Sequence, residues 1–345
     1  MNDIKLVKFR EINLQDTFFD SLRNDYEGFN DWFIRKENEE AYVLKIENRL
    51  EAFLYMKIEE EEDSTIIPQL FFYNKILKVG TFKINAHGSK LGERFVKLIF
   101  DKMIEEKLSK AYVTIFEKQV NLISLLEEYG FFYWGKKKDE YVYLKDFNHL
   151  VGNIKKDYPM IKTKGTKKFL LSIWPPFHTE LFPDSKLRTE KNHIIRDLSH
   201  TNCIEKVYLS GSADILNYKK GDLIAIYRTA EKNTIAEYTA VVTSICTVSE
   251  IRNINEFRTI NEFLEFCSDR TIFTEDKLVE FWRERRYPYI ITLLYNSALN
   301  KRIIRKELIE EIGVSRSERL VVFNLTDEQM NKILEIGGID GEIIR

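Results

Sequence analysis

Three groups of residues in this 345-residue chain could do chemistry. The first is the turn Ala86-His87-Gly88-Ser89-Lys90-Leu91-Gly92, which runs on into Glu93 and a long amphipathic stretch. Small residues let backbone amides come close to a phosphate, and a helix that starts just after them adds its positive end. The turn is not a Walker loop, because the Gly-Lys-Ser/Thr ending is missing. It is also a poor dinucleotide fingerprint, because no acidic strand end lies about 20 residues on. The second group is basic and aromatic: Lys162, Lys164, Lys167, Lys168, Lys186 and Arg188 near Trp174, Phe177 and Tyr208. The run Trp282-Arg283-Glu284-Arg285-Arg286 repeats the theme. Lysines and arginines meet phosphates and aromatic rings stack on bases, although core packing and a solvated surface account for the same residues one at a time. The third group is Cys203, Cys246 and Cys267, which are scattered without metal-ligand spacing. No metal is expected, and an odd, low cysteine count fits a reducing compartment.

The elements that must position these groups can be read from periodicity. Ile4–Arg10 alternates like a half-buried strand, and 13–26 and 29–40 read as helices. Strands are expected at 41–47 and 50–58, joined as a tight hairpin across Asn48–Arg49. The acidic run Glu59–Asp63 reads as a solvated loop, and 77–84 as a strand. After the glycine-bearing turn, Phe95, Val96, Ile99, Phe100, Met103 and Ile104 share one helical face. Strand 111–116, helix 121–129 closed by Gly130, and strands 131–135 and 140–144 follow. The order is therefore strand, two helices, three strands, helix, strand, helix, two strands. Beyond residue 147, a linker is expected over 148–165. Strands are expected at 168–174, 206–209, 223–228, 237–248 and 289–294. Helices are expected at 177–181, 260–267, 275–285, 305–312 and 327–336, the last capped by Thr326.

Length and composition set the frame. A chain this long is expected to split into two domains, 1–147 and 166–345. The formal net charge is −2, so no polycation pulls the whole chain towards nucleic acid or an anionic membrane. The charge is uneven, because 1–150 holds 23 basic and 27 acidic residues whereas 151–192 holds nine and four. No run approaches the roughly 18–20 apolar residues of a membrane span. The N-terminal residues lack a signal-peptide core, so no membrane partner and a cytoplasmic location are expected.

The segment His87–Gly92 resembles the pyrophosphate-binding motif of the GNAT N-acetyltransferase superfamily, usually written Q/R-x-x-G-x-G/A. Gly92 matches the last position. His87 replaces Gln/Arg, and Lys90 stands in place of the first glycine, with Gly88 two positions early. A second signature of the family, a helix ending in Gly-Phe before the last strands, is matched by Gln119–Phe131. Together with the element order, the resemblance covers about residues 1–147. It implies a mixed sheet with flanking helices that binds acetyl-CoA as cosubstrate. The amides of Gly88, Ser89, Lys90, Leu91, Gly92 and Glu93 would hold the pyrophosphate, and His87 would shape the loop or touch phosphate. The strand end at Lys83 and Ile84 would pair with the pantetheine arm, and a splayed gap beside strand 111–116 would admit the thioester. Many members place a tyrosine as the thiolate's acid where this chain has Leu126. Tyr129 and Tyr143 are the weak catalytic candidates in its place.

The stretch Phe169–Phe177, a short helix, the basic loop 184–188 and the turn Lys220-Gly221-Asp222 resemble the opening of an ASCH or PUA-like domain over about 166–296. This implies an α+β chain whose second part is a β-barrel with extra C-terminal helices. PUA-like domains generally bind RNA, which assigns Lys168, Trp174, Lys186, Arg188, Arg283, Arg285 and Arg286 to a nucleic-acid surface. The pair of resemblances points to an N-acetyltransferase acting on an amine carried by RNA, a tRNA or aminoacyl-tRNA, with a toxin-like role and a protein partner such as an antitoxin among the readings. A protein or small-molecule acetyltransferase with a scaffold second domain is the alternative, and so is a non-catalytic CoA-sensing regulator that binds nucleic acid.

Overall fold

The computed structural model describes residues 4–85, 91–183, 203–318 and 320–345. The chain divides into unit 1, Met1–His149, and unit 2, Leu150–Arg345. Both are built on mixed sheets, and the described residues include ten α-helices.

Unit 1 runs β1 (Ile4–Lys8), α1 (Asp20–Asp25), α2 (Phe29–Arg35), β2 (Glu40–Ile46), β3 (Arg49–Glu59), β4 (Ile66–Ile67), β5 (Ile76–Ile84), α3 (Leu91–Glu105), β6 (Lys110–Ile115), α4 (Val120–Glu128), β7 (Phe132–Lys137) and β8 (Glu140–Asp146). The sheet order is β1-β2-β3-β5-β6-β8-β7-β4. Among the described residues of this unit only β5 and β6 pair in parallel, and α3 supplies the crossover such a pair requires. The hairpin between β2 and β3 turns on Glu47 and Asn48, with φ of 49° and 65°. Positive φ at both central residues marks the turn that matches strand twist, and Arg49 already belongs to β3. The two-residue β4 is too short to show any periodicity, so the pattern of the sequence does not reveal it.

An aromatic cluster fixes the N-terminal helices to the sheet. Phe9 lies 4.7 Å from Phe33 and 5.5 Å from Phe53, and Phe19 lies 5.5 Å from Phe53, all buried. Tilted and edge-on rings at these distances add to the apolar area they remove from water. Phe95, Val96, Ile99, Phe100 and Met103 of α3 are buried, as their helical spacing requires.

Unit 2 begins with packed structure where a linker was expected. Tyr158 and Ile161 are buried, and the Tyr158 hydroxyl donates to the Tyr295 carbonyl at 2.8 Å. Asn296 Nδ2 donates to the Pro159 carbonyl at 3.1 Å, and Arg345 N donates to the Ile161 carbonyl at 2.9 Å. The start and end of this unit are thus tied together. The elements are β9 (Lys168–Ile173), α5 (Pro175–Leu181), β10 (Glu205–Ser210), β11 (Leu223–Arg228), α6 (Ala236–Thr239), β12 (Val241–Asn253), α7 (Ile260–Cys267), α8 (Glu275–Glu284), β13 (Tyr289–Ile304), α9 (Arg305–Glu310), β14 (Val322–Leu325) and α10 (Asp327–Ile336). Thr326 caps α10 as expected, accepting from Gln329 N at 3.1 Å while Gln329 Oε1 accepts from Thr326 N at 3.0 Å.

The six strands lie in the order β10-β13-β12-β11-β9-β14. The expected closed barrel is not seen among the described residues. The outer edge of β9 is taken by β14, Leu171 opposite Val322 through Lys168 opposite Leu325, so β9 is not free to close onto β10. Register shifts between β12 and β13 at three places bend these long strands without closing the sheet. Pairing of β13 continues to Ile304, opposite Val241.

Candidate functional site

The site begins where β5 and β6 part. They pair at Leu77 with Ala111, Lys78 with Tyr112 and Val79 with Val113, and no further. Beyond that point β5 stays on β3 as far as Ile84 opposite Ala52, while Thr114 and Ile115 of β6 stay on β8. The register marks the cause. Met56 faces Val79 and Tyr55 faces Thr81, so Gly80 is an extra residue, a bulge on β5 at the point of divergence. A bulge leaves one residue unpaired and sharpens the local twist. Glycine is required there, because a Cβ on residue 80 would lie 2.7 Å from Tyr55 Cδ1. Tyr55 cannot easily yield. It is buried, its hydroxyl donates to Glu39, and its ring meets that of Phe9 edge-on at 5.2 Å.

A cavity of about 470 Å³ occupies the splay, with Gly80–Phe82 on one side and Thr114–Phe116 on the other. Tyr26, Gly28 and Trp32, from the end of α1 and from α2, form a wall, and Lys78, Lys137 and Glu140 reach it from the sheet. Two features follow from the geometry. Residues 80–84 of β5 have an open edge, with backbone groups able to bind an extended chain as an added strand. Past Asn85, whose amide donates to the Glu51 carbonyl at 2.9 Å, the chain leads to α3. The first-turn amides of α3, at Leu91, Gly92 and Glu93, lie at the end of a helix that favours anions.

The expected cofactor residues divide three ways. His87, Gly88, Ser89 and Lys90 lie outside the described residues. Leu91 and Glu93 have buried side chains, and a Cβ on Gly92 would lie 2.5 Å from Leu125 Cδ2. Glycine at 92 is thus explained by the packing of α3 against α4. Lys83 and Ile84 end the open edge. The Lys83 ammonium donates to the Phe18 carbonyl and, at 2.5 Å, to Ser21 Oγ, and burial lowers its pKa. Only the backbone of Lys83 is left for a ligand.

Neither tyrosine candidate lines the cavity. Tyr129 is buried at the end of α4, with its carbonyl accepting from Lys145 Nζ at 2.9 Å. Tyr143, on β8, is pushed up to about 12 by burial and then by Glu127. Leu126 is fully buried in the core. A gap beside strand 111–116 was expected, but the Tyr26 and Glu140 side chains that meet the cavity were not singled out by sequence. The Tyr26 hydroxyl donates to Glu140 Oε1 at 2.7 Å, although 114 residues separate the two. Burial and then this hydrogen bond hold the phenol well above its usual range. No local spacing could announce such a pair.

The acidic run 59–63 is likewise more than a solvated loop. Glu59 accepts from Tyr112 and pairs with Lys57 at 2.6 Å and Lys78 at 3.4 Å, while Asp63 pairs with Lys137 at 2.5 Å. Burial would raise the Asp63 carboxyl, but hydrogen bonds from Lys137 and Thr65 override it and hold the group low.

In unit 2 the expected nucleic-acid residues are also divided. Lys186 and Arg188 lie outside the described residues. Lys168 is withdrawn from any surface, being 3% exposed with Nζ donating to Asp327 at 2.7 Å and to the Thr166 carbonyl at 2.8 Å. Trp174 is 49% exposed, edge-on to Phe177 at 5.7 Å. Arg283 and Arg286 are exposed. Arg285 closes α8 in the left-handed conformation, and its guanidinium lies 3.9 Å over Trp282. The three cysteines are buried and unpaired with one another, and burial pushes Cys267 up to about 12, which leaves its thiol inert. Among the described residues no group of three or more His, Cys, Asp or Glu could hold a metal, and no helix is long and apolar enough to cross a membrane.

No family model matches the chain, and no curated protein does. Among solved structures, the ASCH protein from Zymomonas mobilis is 13% identical, with a TM-score of 0.30 over 49% of this chain and 95% of that one. The N-acetyltransferase PseH from Campylobacter jejuni is 14% identical, with a TM-score of 0.28 over 41% and 97%. An IAA acetyltransferase from Bacillus cereus is 11% identical, with a TM-score of 0.31 over 42% and 99%. Similarities this distant say nothing of chemistry.

Proposed function

We propose that unit 1 binds acetyl-CoA in the β5/β6 splay and transfers the acetyl group to an amine. The observation that carries this is the parting of the two strands after Val79 and Val113, with Gly80 bulged at the fork and α3 starting just beyond the open edge. The residues present fit such a cosubstrate. The open edge at 80–84 suits an extended amide-bearing arm, the first turn of α3 suits a pyrophosphate, and the cavity volume falls in the range of small-molecule sites. When bound, acetyl-CoA supplies an activated acyl group as a thioester. The chain's own residues align the arm along β5, shelter the reacting centre from water and hold the acceptor between Trp32 and the sheet.

The finer part of the proposal is the acceptor, an amine carried on RNA, such as a tRNA or aminoacyl-tRNA. Its support is the exposed Trp174 with Arg283 and Arg286 in unit 2, a stacking face and two free-facing cations. Calorimetry with acetyl-CoA, followed by transfer of radiolabel from acetyl-CoA to purified total RNA and total protein, tests both parts. No binding removes the whole proposal, and label in protein alone removes the RNA part. Replacing Arg283 and Arg286 by Gln is expected to reduce the salt dependence of RNA binding, by about one unit of slope for each phosphate no longer met, whereas Lys168→Met leaves it unchanged. A second reading, a CoA-binding regulator, is favoured by Leu126, which has no proton to give. Binding without label in any pool would support it.

A further inference from the structure

We propose that Glu140 is the general base that takes the acceptor's proton, and that Tyr26 positions it. This rests on the acetyl-transfer reading of unit 1. An amine is protonated at neutral pH and must lose a proton before or as it attacks, so a carboxylate facing the acyl carbon is the group the reaction needs. Three carboxylates line the cavity: Glu27, Asp31 and Glu140. Glu27 and Asp31 are exposed on the helical wall. Glu140 differs in three ways. It is partly buried, it starts β8 beside the free end of β6, and it is fixed by the hydrogen bond from Tyr26. That bond occupies Oε1 and leaves Oε2 for a proton.

Tyr26 is itself held. Its ring lies 5.1 Å from that of Phe116, the residue just past β6, so it spans from the helical wall to the end of the fork. A tyrosine whose hydroxyl is buried and donated to a carboxylate keeps its proton across the working range, so it serves as a fixed donor that aims Glu140. The cations that line the cavity with the pair include Arg35, exposed on α2, and Lys78, which pairs with Glu59 at 3.4 Å. Lys137 is the register partner of Glu140 on β7, but its ammonium is engaged by Asp63. Asp25, next to Tyr26, is paired with Lys118, and Glu117 lies against the Tyr141 hydroxyl.

The step balances simply. The amine nitrogen loses a proton to Glu140, directly or through one water. Its lone pair forms the C–N bond as the C–S bond breaks; the nitrogen's second proton passes through solvent to the departing thiolate, leaving a neutral amide and a thiol, and Glu140 gives its proton back to solvent. No protein acid is required, which accommodates a leucine at 126.

The test uses the full chain with acetyl-CoA, scoring CoA thiol release and label transfer. The acceptors are the RNA and protein pools and, separately, hydroxylamine, a nucleophile already unprotonated at pH 7. Glu140→Gln is expected to lower kcat/KM towards the pools about 100-fold or more and to leave acetyl-CoA affinity unchanged. Transfer to hydroxylamine falls far less, because no proton need be removed first. Tyr26→Phe keeps the ring against Phe116 and lowers kcat about 10-fold with little change in KM. If the wild type binds and transfers while Glu140→Gln retains the rate towards the pools, the base assignment is wrong and the acetyl-transfer reading stands. If the wild type does not bind acetyl-CoA, or binds without transfer, the assignment falls together with the transfer reading.

Discussion

Among the described residues each unit has one parallel strand pair in an otherwise antiparallel sheet, and the two pairs are treated in opposite ways. In unit 2, β9 and β11 stay in register for six residue pairs, Leu223 opposite Lys168 to Arg228 opposite Ile173. In unit 1, β5 and β6 keep three pairs and then separate. The residues explain the contrast. Phe169, Leu171 and Ile173 enter one core with Ile224 and Ile226, and every residue of β11 is buried. Opening that pair would expose continuous apolar surface. The free end of β5 instead carries Gly80, Thr81 and Lys83 between its apolar residues, and it has the bulge that lets it turn from β6 without leaving β3. A parallel pair is therefore a scaffold when both strands carry buried apolar side chains along their length, and becomes a cleft where a glycine bulge and polar residues make separation cheap.

The most direct way to break this comparison is to weaken both pairs alike. Leu171→Ala and Ile226→Ala, which face each other in the closed pair, are each expected to cost about 2–5 kcal/mol in chemical unfolding of the full chain. Thr81→Ala, on the open edge, is expected to cost no more than about 0.5 kcal/mol. Similar losses at both places would mean that the splay is as tightly packed as the closed pair, and would remove the case for a ligand there.

A second test acts on the fork. Gly80→Ala places a methyl against the pinned ring of Tyr55 and is expected to cost about 1–3 kcal/mol through overpacking. The larger signal is binding, since a shifted bulge misaligns the open edge, and acetyl-CoA affinity is expected to fall at least 10-fold. Gly92→Ala sharpens the contrast. The clash there is with the terminal methyl of Leu125, which can move, so the expected cost is only about 1 kcal/mol. The double variant Gly92→Ala, Leu125→Ala should show coupling in unfolding. Unchanged acetyl-CoA affinity in Gly92→Ala would assign this glycine to helix packing, and a large loss would assign it to close approach of the phosphates.

The same two places show how much of the molecule its sequence declares. Apart from the two-residue β4, the element order of unit 1 and the helix at 91–105 follow from periodicity, since long amphipathic stretches declare their buried face. The hairpin at 47–48 is legible to within one residue, because turn chemistry is local. Gly80 is not, because a bulge is defined by its partner strand, and Tyr55 is distant in sequence. The pair Tyr26 and Glu140 is hidden for the same reason, one residue ending a helix and the other starting a strand. Lys168 misleads in the opposite direction. A lysine in a basic stretch reads as surface, yet its partner Asp327 arrives from α10 and takes it inside. The barrel fails as an expectation because the strand that covers β9, residues 322–325, is too short to be distinguished from its neighbours by pattern alone.

The smallest effect concerns the ionic floor of the cleft. The carboxyl of Asp63 is held low in the folded state by Lys137 and Thr65 against the opposing effect of burial. A carboxyl depressed on folding stabilises the protein above its unfolded pKa, and that contribution fades as pH falls through the carboxylate range and below. Unit 1 should therefore lose stability on acidification from pH 5 towards 3, about 0.5–1 kcal/mol of it through this pair, the scale of a partly screened ion pair. Asp63→Asn removes that part of the slope and Lys137→Met reduces it, whereas Asp327→Asn in unit 2 leaves it in place. Melting temperatures measured from pH 3 to 7 in low salt would show the difference. An unaltered slope in Asp63→Asn would mean that Lys137 is not tied down in solution, and would return its ammonium to the cavity as a group that can meet the acceptor or Glu140.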